Sequence, residues 1–323
     1  MKAVITGGAG FIGTLLARRL LAGPVQVGGA APAHLDELVL ADLVPPAPDL
    51  AADERVRVVV GDLGSTLPGI GGADLWFHLA GVVSAAAEAD FDLGMRTNVD
   101  GLRARLEHIR RHDVPAVLVF SSSLAVFGSD PAIGPVGTVS DDTLPRPQSS
   151  YGIQKFIGEQ LVADYTRKGF VRGRSVRLMT VTVRPGRPNA AASAFLSGII
   201  REPLAGLRAA CPVPADTPIA VSSPSRTLAA IARAAVVDDT TWGSRTAMNL
   251  PALTTTPREM ARALDRVTGS AAVSGLIDWT DDPAIGAIVR SWPARFETLR
   301  ASRLGLAADA TFDDIVREYI DTR

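Results

Sequence analysis

Lys2-Ala3-Val4-Ile5-Thr6-Gly7-Gly8-Ala9-Gly10-Phe11-Ile12-Gly13, followed by Leu15, Leu16, Leu20 and Leu21 at helical spacing, is the stretch that decides the fold. The β-branched run predicts a short strand, the glycines a tight turn, and the leucines a helix with one apolar face. The glycines satisfy Gly-x-Gly-x-x-Gly from Gly8 and equally Gly-x-x-Gly-x-x-Gly from Gly7. With no Cβ in the way, backbone amides at the helix N-terminus can approach a pyrophosphate. The expectation is an α/β chain with a Rossmann-type doubly wound parallel sheet that binds a dinucleotide.

Working outward, the strand Leu38-Val39-Leu40-Ala41 ends at Asp42. A carboxylate there can accept hydrogen bonds from the adenosine ribose hydroxyls and repels a 2′-phosphate, which favours NAD over NADP. Asp42 comes 29 residues after Gly13, later than the usual ~20, and the Gly/Pro/Ala loop from Gly23 to His34 accounts for the delay. Asp36 and Glu37 fit the count better but precede the strand. A third strand, Val56 to Val60, closes on Gly61-Asp62-Leu63, and a fourth, Leu75 to Leu79, on Ala80-Gly81. Strand carboxyl ends line the cofactor crevice of a doubly wound sheet, so Asp62 is placed at the adenine edge and the small Ala80 and Gly81 against the cofactor. The expected cofactor contacts are Gly7, Gly10, Phe11, Ile12, Gly13, Asp42, Leu43, Asp62, Leu63, Leu79, Ala80 and Gly81, joined by Asn98, Ser121, Tyr151, Lys155 and Pro185.

The composition of the 323 residues, 47% apolar and 21% charged with a net charge of −1, is that of a soluble globular chain. No basic stripe argues for nucleic acid and no apolar run approaches the ~20 residues that span a bilayer. The strand that begins at Lys2 leaves no room for a signal peptide. The lone Cys211 forms no intrachain disulfide, which points to a reducing cytoplasm. His34, His78, His108 and His112 show no metal-site spacing, and His78, inside an apolar strand, reads as a core histidine.

A helix over Glu88 to His112 contains Asn98, whose amide can brace neighbouring elements from within. The fifth strand, Ala116 to Phe120, leads into the run Ser121-Ser122-Ser123, where Ser123 is assigned to hold a substrate oxygen, since a hydroxyl both donates and accepts. In Ser149-Ser150-Tyr151-Gly152-Ile153-Gln154-Lys155 a phenol and an ammonium stand one helical turn apart on one face. At an effective dielectric near 20, a unit charge ~4 Å away contributes roughly 4 kcal/mol, about three pKa units, enough to bring the phenol into range for general-base catalysis. Only three of the 33 basic residues are lysines, so Lys155 stands where arginine is the chain's default cation. The strand Arg177 to Arg184 ends at Pro185, beyond which proline-punctuated segments follow. Residues 1–185 therefore read as the NAD-binding domain, with a return of about 225–255 to its core, and 186–323 as a smaller, mainly substrate-binding part. Within that part, short helices are expected at Ser193 to Glu202 and Phe312 to Ile320.

With Thr6 to Gly13, Phe120-Ser121-Ser122-Ser123-Leu124-Ala125-Val126-Phe127-Gly128 and Tyr151-Gly152-Ile153-Gln154-Lys155 in order, the chain resembles the extended short-chain dehydrogenase family, NAD-dependent epimerases and dehydratases included. The resemblance implies Ser123 as the hydroxyl that orients substrate, Tyr151 as base, Lys155 on the nicotinamide ribose, and Asn98 as a fourth member. A narrower likeness, carried by Val83-Ser84, Arg184 to Ala191, Gly198 to Leu204 and Ser291 to Phe296, is to the D-erythronate dehydrogenases. It implies oxidation of a four-carbon sugar acid at C2 to its 2-oxo acid. Such a substrate needs a cation for its carboxylate: Arg187 and Arg201 are the candidates, with Arg226 a further one, and Ser84, Asn189 and Ser193 are candidate hydroxyl binders.

Two other readings stay open. A nucleotide-sugar epimerase would use the same core, whereas a dehydratase is disfavoured because Leu124-Ala125 follow Ser123 where an acid pair is usual. A non-catalytic NAD-sensing regulator would not require both Tyr151 and Lys155. By analogy with relatives, helices 88–112 and 151–168 are expected to pack across a two-fold axis as a homodimer.

Overall fold

The computed structural model describes residues 1–62, 64, 69–112, 115–186 and 191–323, and all statements of structure concern these. The strands in chain order are β1 (Lys2–Thr6), β2 (Glu37–Asp42), β3 (Val56–Val60), β4 (Leu75–His78), β5 (Val117–Ser123), β6 (Thr138–Val139), β7 (Arg172–Leu178), β8 (Thr180–Val181), β9 (Ala209–Cys211), β10 (Ile219–Ser222), β11 (Met248–Asn249), β12 (Leu253–Thr255), β13 (Ile277–Trp279) and β14 (Arg295–Phe296). Seven of them form the central sheet in the order β11-β7-β5-β4-β1-β2-β3, with every neighbouring pair parallel. The chain winds outward in opposite directions from β1 and β4, so a crevice opens between their carboxyl ends.

Both faces of this sheet are covered, which is why its strands are continuous apolar runs rather than alternating ones. On one face Ile5, Leu40, Phe77 and Val119 pack with Leu16 and Leu20 of helix Phe11–Leu21 and with Ala230, Ile231 and Ala234 of helix Pro224–Val236. On the other, Val4, Val39, Trp76, Leu118 and Phe120 meet Leu102, Leu106 and Ile109 of helix Gly101–Arg110 and Val162 of helix Ser150–Arg167. A further apolar cluster joins Val183 and Val221 to helices Phe195–Leu204, Pro257–Thr268 and Phe312–Asp321. In the segment expected to return to the core, helix Pro224–Val236 packs on β5 and β7, and β11 pairs with β7.

Three elements differ from the expectation. The helix over Glu88 to His112 is four pieces: Ser84–Ala89, Phe91–Gly94, a π-helical turn at Met95–Asp100, and Gly101–Arg110. Asp90 interrupts it by accepting from the Leu93 amide at 2.9 Å, which starts a new helix, and the wide turn carries Asn98 to a buried position. β5 runs on through Ser121 to Ser123, past its expected end at Phe120, because pairing with β7 continues through Ser123 opposite Leu178. The strand expected over Arg177 to Arg184 is divided: β7 stops at Leu178, and β8 joins β10 in a separate three-stranded sheet. His78 is a buried core residue that shares a 2.9 Å hydrogen bond with Thr6 Oγ1. Cys211 is likewise buried. Among the described residues no cluster of metal-binding side chains occurs, and no helix is long and apolar enough to cross a membrane.

The glycine turn is closed so tightly that a Cβ on Gly13 would lie 2.0 Å from the Gly7 carbonyl oxygen. Gly13→Ala is expected to destabilise the protein by roughly 1–3 kcal/mol and to weaken NADH binding at least tenfold, read by thermal melting and NADH fluorescence titration. An alanine variant that binds NADH like the wild type would contradict this account of the turn.

Candidate active site

The crevice at the switch point contains a cavity of about 270 Å3. Gly7, Gly10, Phe11, Ile12 and Gly13 form its floor at the start of helix Phe11–Leu21. Gly10 is the N-cap and offers no side chain to the first turn, so those amides remain open to an anion. A Cβ on Gly7 would stand 2.7 Å from Ala80 N, which explains why the turn after β1 needs glycine and lies directly against the end of β4. Leu79 and Gly81 border the cavity, and a Cβ on Gly81 would meet Asn98 Oδ1 at 3.0 Å and Lys155 Nζ at 3.4 Å. Asp42 accepts from Ala9 N at 3.0 Å and from Leu43 N at 2.7 Å, tying the end of β2 to the glycine turn. Leu43 is exposed beside it, and Asp62 follows β3, where it accepts from Gly64 N at 2.8 Å. Neither these three nor Pro185 borders the cavity itself; Leu63 lies outside the described residues. The cradle left free of Cβ atoms, the open amides and the carboxylate at the end of β2 together fit a dinucleotide.

Ser121, Ser123, Tyr151 and Lys155 line the opposite wall. Ser149 caps the helix that carries the last two by accepting from Gly152 N at 3.2 Å. A Cβ on Gly152 would come within 2.1 Å of Ala125 O, so this helix can approach the end of β5 only with glycine there. Ser123 Oγ accepts from Ala125 N at 3.2 Å and stands beside the Tyr151 phenol, whose ionised form it favours. Lys155 Nζ donates to Ser121 O at 2.8 Å and lies 4.9 Å from the Phe120 ring centroid. Asn98 does not border the cavity; its amide closes a ring with Val82 N (2.8 Å), Val82 O (3.1 Å) and Gln154 Oε1 (2.8 Å). It thus braces the Gly81–Val82 backbone against the helix of Tyr151.

The electrostatics correct one expectation. Lys155 was expected to acidify Tyr151, but its tail turns to the sheet, and its Nζ stands 5.7 Å from the phenol ring centroid. Burial pushes the Tyr151 phenol above its ordinary value, while the Ser123 hydrogen bond and the positive charge of Arg184 pull it down. Burial also lowers the Lys155 ammonium to about 8, against a smaller opposing pull from Glu159.

Arg184 is the residue that sequence reasoning missed. It borders the cavity together with Ser84, Ser193 and Trp292, although its position at the end of the expected strand was itself a signal that it faces the carboxyl edge. Ser84 Oγ accepts from Ala192 N at 3.2 Å. Arg201 does not reach the cavity: it donates to Arg184 O at 2.8 Å and forms an ion pair with Glu202. Arg226, on helix Pro224–Val236, is also away from it. Arg187 and Asn189 lie outside the described residues.

Residues 3–217 match the model of the NAD dependent epimerase/dehydratase family. Over 326 residues the chain is 47% identical to the D-erythronate dehydrogenase of Cupriavidus necator, covering 99% of this chain and 98% of that one. It is 40% identical over 327 residues to the D-erythronate dehydrogenase of Haemophilus influenzae, covering 99% of both. Among solved structures, a nucleoside-diphosphate-sugar epimerase from Agrobacterium tumefaciens superposes with a TM-score of 0.87 at 35% identity, covering 99% of this chain and 94% of that one. The L-threonine 3-dehydrogenase of Trypanosoma brucei, 22% identical with a TM-score of 0.84 over 99% of this chain and 96% of that one, shares the fold.

Because Lys155 is held near 8 when folded and at its ordinary value of 10.5 when unfolded, the unfolded chain holds the extra proton between those pH values. Stability therefore rises with pH across that window, and the penalty for the buried ammonium is complete below about 8. Lys155→Met removes the penalty, so its stability relative to the wild type is expected to be more favourable at pH 7 than at pH 10 by on the order of 3 kcal/mol. Denaturant melts of the cofactor-free proteins at the two pH values check this, and a pH-independent difference would refute it.

Proposed function

The chain belongs to the NAD dependent epimerase/dehydratase family, and from that premise we propose that it is an NAD-dependent dehydrogenase oxidising D-erythronate to its 2-oxo acid. The observation that carries this reading is the convergence of Ser123, Tyr151 and Lys155 with the glycine turn on one cavity, in a chain that aligns end to end with two D-erythronate dehydrogenases. NAD, when bound, supplies the acceptor for the hydride that leaves C2. NAD rather than NADP is supported by Asp42 at the end of β2.

Each residue then has one task. The Tyr151 oxygen takes the proton from the C2 hydroxyl as the hydride departs, which leaves the 2-oxo group and a neutral phenol. Ser123, whose Oγ already accepts from Ala125 N, turns its own proton to the substrate oxygen when that oxygen is bound. Lys155, fixed on Ser121 O, stands beside Tyr151 to hold the nicotinamide ribose. Ser84 and Ser193 face the same space and suit the substrate's remaining hydroxyls.

A nucleotide-sugar epimerase is the second reading, favoured by the 35% identity to the nucleoside-diphosphate-sugar epimerase of Agrobacterium tumefaciens. Epimerisation returns its hydride and dehydrogenation releases it, so the two differ in net NADH. A non-catalytic NAD-sensing regulator is opposed by the presence of both Tyr151 and Lys155 in the cavity. The single buried Cys211 suits a reducing cytoplasm.

Purified protein given NAD and D-erythronate is expected to accumulate NADH, followed by absorbance; cofactor reduction without net release on a nucleotide sugar would favour the epimerase. Tyr151→Phe should lower kcat by about 10²–10⁴-fold and leave NADH binding in place, and turnover near the wild-type rate would remove the phenol from the role of base. Phe91, Leu93 and Ile153 are exposed on the contacting helices Phe91–Gly94 and Ser150–Arg167, which supports a homodimer through this face. Sedimentation at micromolar concentration should give the mass of two chains, and a monomer would count against the dimer.

A further inference from the structure

After β8 the chain passes the cavity and fixes Arg184 at three points. Its Nε donates to Val181 O at 3.0 Å, its backbone N donates to Ser197 Oγ at 3.0 Å, and its carbonyl accepts from Arg201 Nη1 at 2.8 Å. The last two come from helix Phe195–Leu204, so the side chain's base is held by that helix and its stem by its own strand. The outer nitrogens of the guanidinium have no carboxylate partner among the described residues. Other buried or nearly buried arginines do: Arg177 pairs with Glu159, Arg174 with Asp239, and Arg201 with Glu202. Arg105 and Arg300 do not, but neither borders the cavity: Arg105 lies over the Trp76 ring, 5.3 Å from its centroid, and Arg300 donates to the carbonyls of Thr246 and Ala247. A guanidinium that is fixed, partly desolvated and unpaired beside a cavity is prepared for an anion that enters it, because pairing offsets the desolvation already incurred.

We propose that Arg184 binds the substrate carboxylate and selects acids whose reacting hydroxyl stands on the carbon next to that carboxylate, an inference that rests on the sugar-acid reading above. Arg184 borders the same cavity as Ser123 and Tyr151, and its charge favours the Tyr151 phenolate. A hydroxyl held between Ser123 and Tyr151 therefore shares the cavity with a cation that is free to pair with a neighbouring group. In a 2-hydroxy acid that group is the carboxylate; in a neutral sugar ring it is another carbon bearing a hydroxyl, which leaves Arg184 unpaired. The site thus discriminates by the penalty of an unmatched buried cation as well as by the attraction of a matched one. Arg201, through its bond to the Arg184 carbonyl, is a positioning residue.

The test compares D-erythronate with its uncharged amide, D-erythronamide, in the wild type, Arg184→Met and Arg184→Lys. The wild type is expected to prefer the acid on the order of a hundredfold in kcat/KM. Arg184→Met should erase that preference, mostly through KM, and Arg184→Lys should restore part of it, with NADH binding unchanged in both. If Arg184→Met binds NADH and keeps the wild-type ratio of acid to amide, Arg184 is not the carboxylate site even though D-erythronate remains the substrate. A binding arm separates the opposite failure: D-glycerate is titrated into the enzyme–NADH complex and followed by NADH fluorescence. Should the wild type be silent on D-erythronate but bind D-glycerate in a way that Arg184→Met abolishes, the substrate assignment fails and the role of Arg184 stands. Equal binding in the two proteins, or none in the wild type, overturns it.

Discussion

The hydrogen bond from the buried Lys155 ammonium to the carbonyl of Ser121, 2.8 Å long, is the contact on which the site depends. It joins the helix that carries Tyr151 to the strand that carries Ser123, and it is one of three such ties. Residues 151, 155 and 159 share one helical face, and each meets one of three consecutive serines: Tyr151 meets Ser123, Lys155 meets the Ser121 carbonyl, and Glu159 accepts from Ser122 Oγ at 2.5 Å. A shift of the helix by one residue would break all three. The serine run is therefore a register device, in addition to supplying one reacting hydroxyl.

Glu159 extends that device into the sheet. Arg177 of β7 grips it through two nitrogens at 2.8 and 2.7 Å and also donates to Asn249 of β11 at 3.1 Å. Both partners are almost wholly buried. Such a pair adds little net stability because desolvation opposes its attraction, whereas removing one member would strand the other charge. What it supplies here is orientation: Glu159 stands one turn beyond Lys155 and keeps the ammonium's charge favoured against the burial that depresses it. The edge strand β11, which enters the sheet from far along the chain, is thereby connected to the lysine through two side chains.

Much of this was legible because the glycine turn and the strand ends obey local rules. Gly7 to Gly13 announce a backbone approach that no side chain permits, and Asp42 ends β2 where the sequence placed it. The misses were cases where distant partners decide local structure. Ser121 to Ser123 have the composition of a turn, yet they are strand because β7 pairs with them. The stretch from Glu88 to His112 looks like one helix because apolar periodicity does not register a π turn, and that turn is what faces Asn98 inward. Spacing on a helix located Tyr151 and Lys155 on one face but said nothing of where the lysine's flexible tail ends, and the sheet's carbonyl and the Phe120 ring claimed it. The expected cations, Arg187 and Arg201, lie beyond Pro185, one step past Arg184, because the division of the strand at Leu178 depends on β10, which lies 41 residues later.

Moving the acidifying charge from Lys155 to Arg184 changes how the base and the substrate are related. Lys155 is held on the Ser121 carbonyl, whereas Arg184 borders the cavity with no carboxylate partner among the described residues. An empty cavity therefore leaves Arg184 free to favour the phenolate, partly opposing the burial that disfavours it. A carboxylate seated on Arg184 offsets that charge, which makes each phenolate a stronger proton acceptor but leaves fewer phenols ionised at neutral pH. Burial shifts the balance in the same direction, and the Ser123 hydroxyl is then the group that still favours the phenolate. Recognition of the carboxylate and ionisation of the base are therefore coupled through one side chain.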